Sequence, residues 1–195
     1  MMKQRSYQGG IDLILLQNFN AEAISKTDHC GYLHPGDIPH HIYNGNKYYD
    51  PAELLTIWED DLGVAGWLLI NVRLKGFDAQ VRPDLRGGDF EREILALAYE
   101  RTAEKMRKYE VQSEIVYADA FRDDPARRRL LNDLGWEADG ELPYVLNKMK
   151  IEDIKVPDLP DGFSYRSARG IEDAAALAVI HNKGFGGSWR RERYR

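Results

Sequence analysis

The stretch that decides the fold is "VRPDLRGGDFEREIL", residues 81–95. It passes through a proline and an Arg-Gly-Gly turn and opens directly into an amphipathic segment. A helix N-terminus offers unpaired backbone N–H groups and a partial positive charge, and glycines before it let a phosphate approach the backbone closely. The same glycines also suit a tight strand-to-helix turn, where they relieve backbone strain. The turn is therefore either a phosphate cradle or a purely structural connection.

The segments on either side of the turn predict a strand followed by a helix. Apolar side chains alternate with Asp78 and Gln80 up to Val81, which is the period of a half-buried strand. A helix is predicted at 89–108, because one side-chain stripe recurs at every fourth residue. The members of that stripe are Phe90, Ile94, Ala98, Thr102 and Met106.

The remaining segments complete an α+β domain with a mostly antiparallel sheet and helices on both faces. Strands are predicted at 2–8, 62–74, 113–121 and 140–151, and 51–60 is either a strand or a short helix. Helix 10–24 carries apolar side chains at Ile11, Leu15, Phe19 and Ile24, and 34–46 is a short helix or turn with Asp37 as N-cap. Helix 124–136 has Asp124 as N-cap, Pro125 at its first position and Gly135 at its end.

An internal repeat predicts a second domain. "RSYQGGIDLILL" (5–16) and "RSARGIEDAAAL" (166–177) share five residues at a fixed offset. The pairs are Arg5/Arg166, Ser6/Ser167, Gly9/Gly170, Asp12/Asp173 and Leu16/Leu177. We therefore expect a complete domain at 1–150, a Pro-rich and acidic linker at 151–160, and the opening strand and helix of a second copy at 161–195. That copy breaks off at Arg195.

The second copy is expected to have no sheet of its own. Its apolar side chains, Leu177, Ile180 and Phe185, would then have to pack against the first domain or against another chain.

Composition excludes several classes of partner. The net charge of −5 argues against nucleic acid, because phosphate binding needs a basic face. The run Arg127-Arg128-Arg129 is predicted to be a solvated helix face rather than a local anion patch. The first residues contain no apolar signal core, and the apolar run "LGVAGWLLI" is too short to span a bilayer. With Cys30 as its single cysteine, the chain is predicted to be cytoplasmic, with no membrane partner.

A histidine-rich stretch, "DHCGYLHPGDIPHH" (28–41), contains residue types that ligate metals. No Cys-x-x-Cys or His-x-x-x-His spacing recurs there, and the stretch also carries two prolines and two glycines. We therefore predict a loop without a metal.

Three motifs in order resemble the GNAT superfamily of acetyl-CoA-dependent N-acetyltransferases. "VRPDLRGG" looks like the family's Val-x-Pro-x-x-Arg-Gly-x-Gly run, "DPARRRLLNDLGW" looks like the block that ends in Leu-Gly-Phe, and "GVAGWLLI" resembles the preceding strand. The resemblance covers 1–150, and 163 onward resembles the start of a second such domain, as in the tandem members. It implies acetyl transfer from acetyl-CoA to a small-molecule or peptide amine by direct attack. A homodimer is one possible assembly of such a protein. The loop with Tyr32 and Tyr43 would line the acceptor pocket.

The resemblance also implies which residues hold acetyl-CoA: Val81, Arg86, Gly87, Gly88, Asp89, Phe90 and Glu91. The backbone of Val81 would meet the pantetheine arm, and the turn would wrap the pyrophosphate. The sequence departs from the family at Asp89 and Glu91, where Gly or Ala is usual. These carboxylates favour the helix through its dipole but repel a pyrophosphate, so cofactor binding is either retained or lost.

The catalytic residues implied by the resemblance are incomplete. Leu131 stands where many members have the Tyr that protonates the leaving thiolate, so the general acid is unknown, and the phenols Tyr117 and Tyr144 have no evident path to it. Asp78 is the candidate general base, and the alternative is a solvated strand carboxylate. Two functions stay open: an N-acetyltransferase, or a non-catalytic scaffold or dimerisation module that supports a catalytic second domain.

Overall fold

The computed structural model describes residues 2–27, 31–138 and 158–186. The chain divides into two compact units, Met1–Glu141 and Leu142–Arg195. The elements of the first unit are β1 Lys3–Ser6, α1 Gly10–Thr27, α2 Ile38–His40 with a π-helical turn at His41–Gly45, α3 Pro51–Leu54, β2 Leu55–Asp60, β3 Gly63–Asn71, β4 Gly76–Val81, α4 Asp89–Lys108, β5 Tyr117–Ala118 and α5 Pro125–Asp133. Short 3-10 turns follow β3 and β4, at Val72–Leu74 and Pro83–Leu85.

The strands of the first unit form one mixed sheet in the order β1-β2-β3-β4-β5. From β1 to β4 each strand is antiparallel to the next, whereas β5 runs parallel to β4. Helix α4 covers one face, where a side chain on Gly66 of β3 would stand 3.3 Å from Ile94. Helix α1 covers the other face, where Asn20 bonds to Trp67. This confirms the predicted α+β architecture.

Strand β4 parts from β5 after two residue pairs. The parallel pairing joins Gly76 to Tyr117 and Phe77 to Ala118, whereas β4 continues to Val81. The predicted strand at 113–121 is therefore only two residues long. Within the described ranges, the rest of this β4 edge is not bonded to a strand, so its carbonyl groups need other partners.

The side chains of β4 are buried on both faces, so the prediction of a half-buried strand is wrong. Asp78 and Gln80 are buried, as their apolar neighbours are. The reason is the cover on both sides of the sheet, which alternation in one strand does not reveal. The segment 51–60 contains both predicted alternatives, because α3 runs directly into β2. The predicted strand at 140–151 lies outside the described residues.

Helix α4 confirms its sequence prediction. It begins at Asp89 and ends at Lys108, and Ile94, Ala98, Thr102 and Met106 are buried along one stripe. Helix α5 begins as predicted, because the Asp124 side chain accepts the backbone N–H of Arg127. Asp37 stands at the N-cap position of α2 but makes no capping bond through its side chain.

Helix α1 confirms its predicted apolar face in part, since Ile24 is buried and Leu15 and Phe19 pack against the core. Ile11 is 86% exposed, whereas Asp12 and Asn20 point into the protein. Asn20 accepts a hydrogen bond from Trp67 Nε1 at 3.0 Å and donates to the carbonyl of Leu33 at 2.7 Å. Polar residues thus orient this helix, which a count of apolar positions misses.

Asp12 closes the junction between β1 and α1. Arg5 donates to both of its carboxylate oxygens, at 2.7 and 2.9 Å, and the backbone N–H of Gln8 donates at 2.7 Å. The bond with Arg5 lowers the pKa of the Asp12 carboxyl. A bidentate Arg–carboxylate pair has a defined geometry, so it fixes the direction in which the helix leaves the strand.

The second unit contains a matching junction. Arg166 donates to both oxygens of Asp173, with Nη2 at 2.9 Å from Oδ1, and the backbone N–H of Arg169 donates at 2.7 Å. The bond with Arg166 lowers the pKa of Asp173 to about 2. The aligned residues of the repeat therefore make the same hydrogen bonds in both units.

The rest of the second unit differs from its prediction in one respect. Residues 158–186 contain a 3-10 turn at Gly170–Glu172 and helix α6 at Ala174–Phe185, and the strand expected before them is not formed in that range. Ile180 and Phe185 are 66% and 81% exposed, and their packing against another chain stays a prediction. A strand needs a partner for its backbone groups, and none of the described part of this unit supplies one.

Replacing Asn20 with Ala should destabilise the protein by about 1–3 kcal/mol, because the Trp67 N–H and the Leu33 carbonyl would lose their buried partner. Urea unfolding measures this difference. Asn18→Ala, on the exposed side of the same helix, is the control and should stay within about 0.5 kcal/mol of the wild type. Equal effects of the two substitutions would contradict the buried role of Asn20.

The Asp12→Asn variant should be less stable than the wild type at neutral pH, and the difference should shrink in acid. The folded-state pKa of Asp12 is lowered, so its contribution to stability is present above the unfolded pKa and is lost as pH falls through the folded pKa. Urea unfolding of both proteins at several pH values tests this. A difference that does not change with pH would show that the charge of Asp12 is not what stabilises the junction.

Candidate functional site

The Arg-Gly-Gly turn, residues 86–88, is held by the helix that it opens. Gly87 has a positive φ of 72°, and a side chain on it would stand 3.0 Å from Cβ of Ala126 in α5. Its backbone N–H donates to Glu91 Oε2 at 2.7 Å. Glycine is therefore required here by backbone conformation and by helix packing, and the N–H group of the turn already has an anionic partner.

Glu91 and Arg127 form an ion pair in the interior. The two residues are 1% and 5% exposed, and Arg127 Nη1 lies 3.2 Å from Glu91 Oε1. The same guanidinium donates from Nη1 to the carbonyl of Ala79 on β4 at 2.8 Å, and from Nε to the carbonyl of Asp119 at 3.1 Å. Burial lowers the pKa of Arg127, and Glu91 opposes this shift. Arg127 thus bridges the gap where β4 and β5 part.

Tyr32 occupies the end of the same β4 edge. Its hydroxyl donates to the carbonyl of Val81 at 2.6 Å, and burial raises the pKa of Tyr32 to about 12. The guanidinium of Arg86 stacks over the Tyr32 ring at 4.8 Å from the centroid, and it also forms an ion pair with Asp124, the N-cap of α5. Arg86 is therefore tied to residues of this chain on both sides.

The structure brings the predicted cofactor residues together, but it separates the two acids among them. Asp89 is exposed at the start of α4, whereas Glu91 points inward to the turn. Gly88 is the N-cap residue of α4 with extended backbone, and Phe90 packs edge-on against Trp58. The charge of Glu91 therefore lies inside the turn, and that of Asp89 does not.

Arg127 corrects the prediction that residues 127–129 form a solvated helix face. Arg128 and Arg129 are exposed as predicted, but Arg127 is buried. The sequence carried a signal for this, since Arg127 precedes the buried Leu130 and Leu131 by three and four residues. That spacing places all three on one face of the helix.

A second group of polar residues lies on the α1 side of β4, and we call it the polar cluster: His41, Asn46, Asn71 and Asp78. Asp78 Oδ2 accepts from Asn71 Nδ2 at 2.6 Å and lies 2.8 Å from His41 Nδ1. Asp78 is 9% exposed, so the alternative of a solvated carboxylate is wrong. From the sequence, His41 is only one member of the histidine-rich stretch, because no local spacing links it to Asp78.

The electrostatics of the polar cluster raise the pKa of the His41 imidazole, which makes its neutral form a stronger base. The hydrogen bond to Asp78 raises the pKa of His41 against the opposing effect of burial. Desolvation and the nearby Asp78 raise the pKa of the Asp119 carboxyl. Asn46 is 1% exposed and donates to the carbonyl of Ile70 at 3.0 Å, while its Oδ1 has no hydrogen-bond partner among the described residues. An imidazole whose pKa is shifted and which is oriented by a carboxylate can accept and release a proton.

The other residues considered for the general acid are placed differently from one another. Leu131 is buried in the core, Tyr117 is 46% exposed, and Tyr144 lies outside the described residues. The hydroxyl of Tyr43 is 2.6 Å from that of Tyr7.

The part of the chain that the structure describes contains neither a metal-binding cluster nor a membrane-spanning helix. No group of three or more His, Cys, Asp or Glu side chains is placed there to hold a metal ion. His29 and Cys30 lie outside that part. In the same residues, no helix has the length and apolar character needed to cross a membrane.

Comparison with known proteins identifies the fold. The crystal structure of a GCN5-related N-acetyltransferase from Sphaerobacter thermophilus is similar, with a TM-score of 0.50 and 14% sequence identity. The match covers 99% of this chain and 61% of that chain, so this chain spans less than two thirds of that protein's length. No protein-family model matches the sequence, and no curated protein matches it. The chain therefore has the fold of a GCN5-related N-acetyltransferase.

Replacing Asp78 with Asn should lower the pKa of His41, because the carboxylate that stabilises the imidazolium is lost. Titration of the His41 ring signals by NMR measures the change. Since the folded-state pKa is raised, the pair stabilises the wild type below the unfolded pKa, and this contribution is lost as pH rises through the folded pKa. Asp37→Asn is the control and should shift the pKa of His41 less, since the Asp37 side chain acts on the imidazole only through its charge and it is the Asp37 backbone carbonyl that accepts from the His41 N–H. An unchanged His41 pKa in Asp78→Asn would contradict the pairing.

Proposed function

We propose that this chain is an N-acetyltransferase that transfers an acetyl group from acetyl-CoA to an amine by direct attack. The observation that carries the proposal is the parting of β4 from β5 directly before the Arg-Gly-Gly turn, in a chain with this fold. The strand edge and the helix N-terminus bring backbone acceptors and donors to one place, and these are the kinds of group that an extended ligand with a phosphate group requires.

The polar cluster is the candidate site for the acceptor. An amine must lose a proton before or during attack, and a neutral imidazole oriented by a carboxylate accepts protons well near neutral pH. His41 Nδ1 is turned to Asp78, so Nε2 is the nitrogen that would take the proton from the amine. In this proposal Asp78, predicted as the base, instead positions the His41 ring and raises its pKa. The acceptor is a small-molecule or peptide amine.

The cofactor residues, as they are arranged, do not fit acetyl-CoA. Glu91 accepts the N–H of Gly87 that a pyrophosphate would need, and Tyr32 and Arg127 donate to the β4 carbonyls along which the pantetheine arm would lie. This observation favours a second function, a non-catalytic module that supports or dimerises with a catalytic copy of the fold.

The matching junctions at Asp12 and Asp173 support a tandem arrangement. In it, residues 1–150 form one GNAT-like domain, 151–160 a linker, and residues from 161 open a second. A bidentate ion pair with the same backbone N–H contact is specific enough that its repetition at aligned positions supports duplication.

Titration with acetyl-CoA in a calorimeter, followed by an assay of CoA release with a panel of amines, separates the two functions. A transferase should bind acetyl-CoA and release CoA, and Arg86→Ala should weaken binding, since Arg86 is the cation of the turn. His41→Gln should lower kcat and flatten the pH profile, with a smaller change in KM.

The control for Arg86→Ala is Arg73→Ala, which removes the same charge from an exposed position. Equal effects of the two substitutions would show that Arg86 acts only through net charge. Absence of binding at millimolar acetyl-CoA, with no release of CoA, would leave the module as the function of this chain.

A further inference from the structure

We propose that Glu91 is an internal competitor for the pyrophosphate of the cofactor, and that the Glu91–Arg127 pair holds the cradle closed in the free protein. The cradle is the backbone from Ala79 to the Arg-Gly-Gly turn. This inference rests on the proposed function only in taking acetyl-CoA as the ligand.

The turn already holds an anion, the carboxylate of Glu91. A helix N-terminus attracts a negative group, and the carboxylate of Glu91 is that group here. It uses Oε2 for the N–H of Gly87 and Oε1 for Arg127, so both oxygens are engaged inside the turn. An incoming phosphate would have to replace the Glu91 carboxylate, because the two anions require the same N–H donor and repel one another.

The open edge of β4 is also occupied by side chains of this chain. The carbonyls of Ala79 and Val81 are two residues apart, and they therefore point to the same side of β4. The first accepts from Arg127 at 2.8 Å and the second from the hydroxyl of Tyr32 at 2.6 Å. Both side chains come from outside the sheet. They occupy the place that a strand or an extended ligand would take beside β4.

Arg127 links the Arg-Gly-Gly turn to the open edge of β4. Arg127 bonds to Glu91 through its side chain, and its backbone N–H bonds to Asp124, which also pairs with Arg86. When Glu91 turns away from Gly87, a buried guanidinium loses its counter-ion, which is unfavourable unless another anion replaces it. A pyrophosphate is such an anion. Opening and ligand binding are therefore coupled, with Arg127 as the cation that the two anions share.

The test compares acetyl-CoA binding by the wild-type chain and by Glu91→Ala, with calorimetry for affinity. The wild type should bind at millimolar concentration, and Glu91→Ala should bind about ten- to a hundredfold more tightly, because a charged hydrogen-bonded competitor is gone. The NMR signal of the Gly87 amide should shift on addition of acetyl-CoA in the variant at far lower concentration than in the wild type.

Glu93→Gln is the matched control, since it removes one carboxylate from the exposed side of the same helix. It should change the affinity by less than about twofold, because water and salt screen the charge of an exposed carboxylate. Glu91→Gln is the second variant, which preserves side-chain size if loss of the whole side chain unfolds the protein. It should bind more tightly than the wild type, but less tightly than Glu91→Ala, since its amide oxygen still accepts from Gly87.

Three results would overturn the inference: micromolar binding by the wild type that Glu91→Ala does not improve, folded Glu91 variants that bind no better than the wild type, or an equal gain in Glu93→Gln. The proposed function fails differently. If the Glu91 variants bind acetyl-CoA tightly and yet release no CoA with any amine, the closed cradle stands and the transferase activity does not.

Discussion

The buried ion pair between Arg127 and Glu91 is the interaction on which the first unit depends. A guanidinium in the interior is stable only if its charge is balanced and its N–H groups have acceptors. Glu91 supplies the charge, and the carbonyls of Ala79 and Asp119 supply acceptors. The requirement ties the start of α4, the first turn of α5 and the open edge of β4 to one another. Few side chains join so many elements.

The sheet and the ion pair solve one problem together. A strand edge that ends its pairing early leaves backbone carbonyls that must be bonded when they are buried. In this chain Tyr32 and Arg127 bond them, which closes the opening that the parting of β4 and β5 creates. The sheet therefore has an opening between β4 and β5, and the chain's own side chains fill it. The polar cluster around Asp78 lies beside this network and meets it at Asp119, whose carbonyl accepts from Arg127 and whose carboxyl interacts with Asp78.

The junction at Asp12 shows how a short local pattern can carry long-range information. Its Arg–Asp pair and backbone N–H contact recur at Asp173. They form there although the described residues of the second unit contain no sheet. The pattern is therefore specified by nearby residues and does not need the rest of a domain to form. That independence explains why the repeat was visible in the sequence, and why the strand expected beside it was not formed.

The sequence by itself determined the features that depend on local spacing. Helix α4, its buried stripe and the N-cap at Asp124 follow from periodicity and capping, which act within a few residues. Only the tertiary structure decided that Glu91 points inward while Asp89 stays exposed, that Arg127 is buried, and that Asp78 meets a histidine far away in the chain. Charge alone predicts exposure for each of these side chains. Which of them is buried depends on the partners that other elements bring, and those partners are known only once the helices have packed on the sheet.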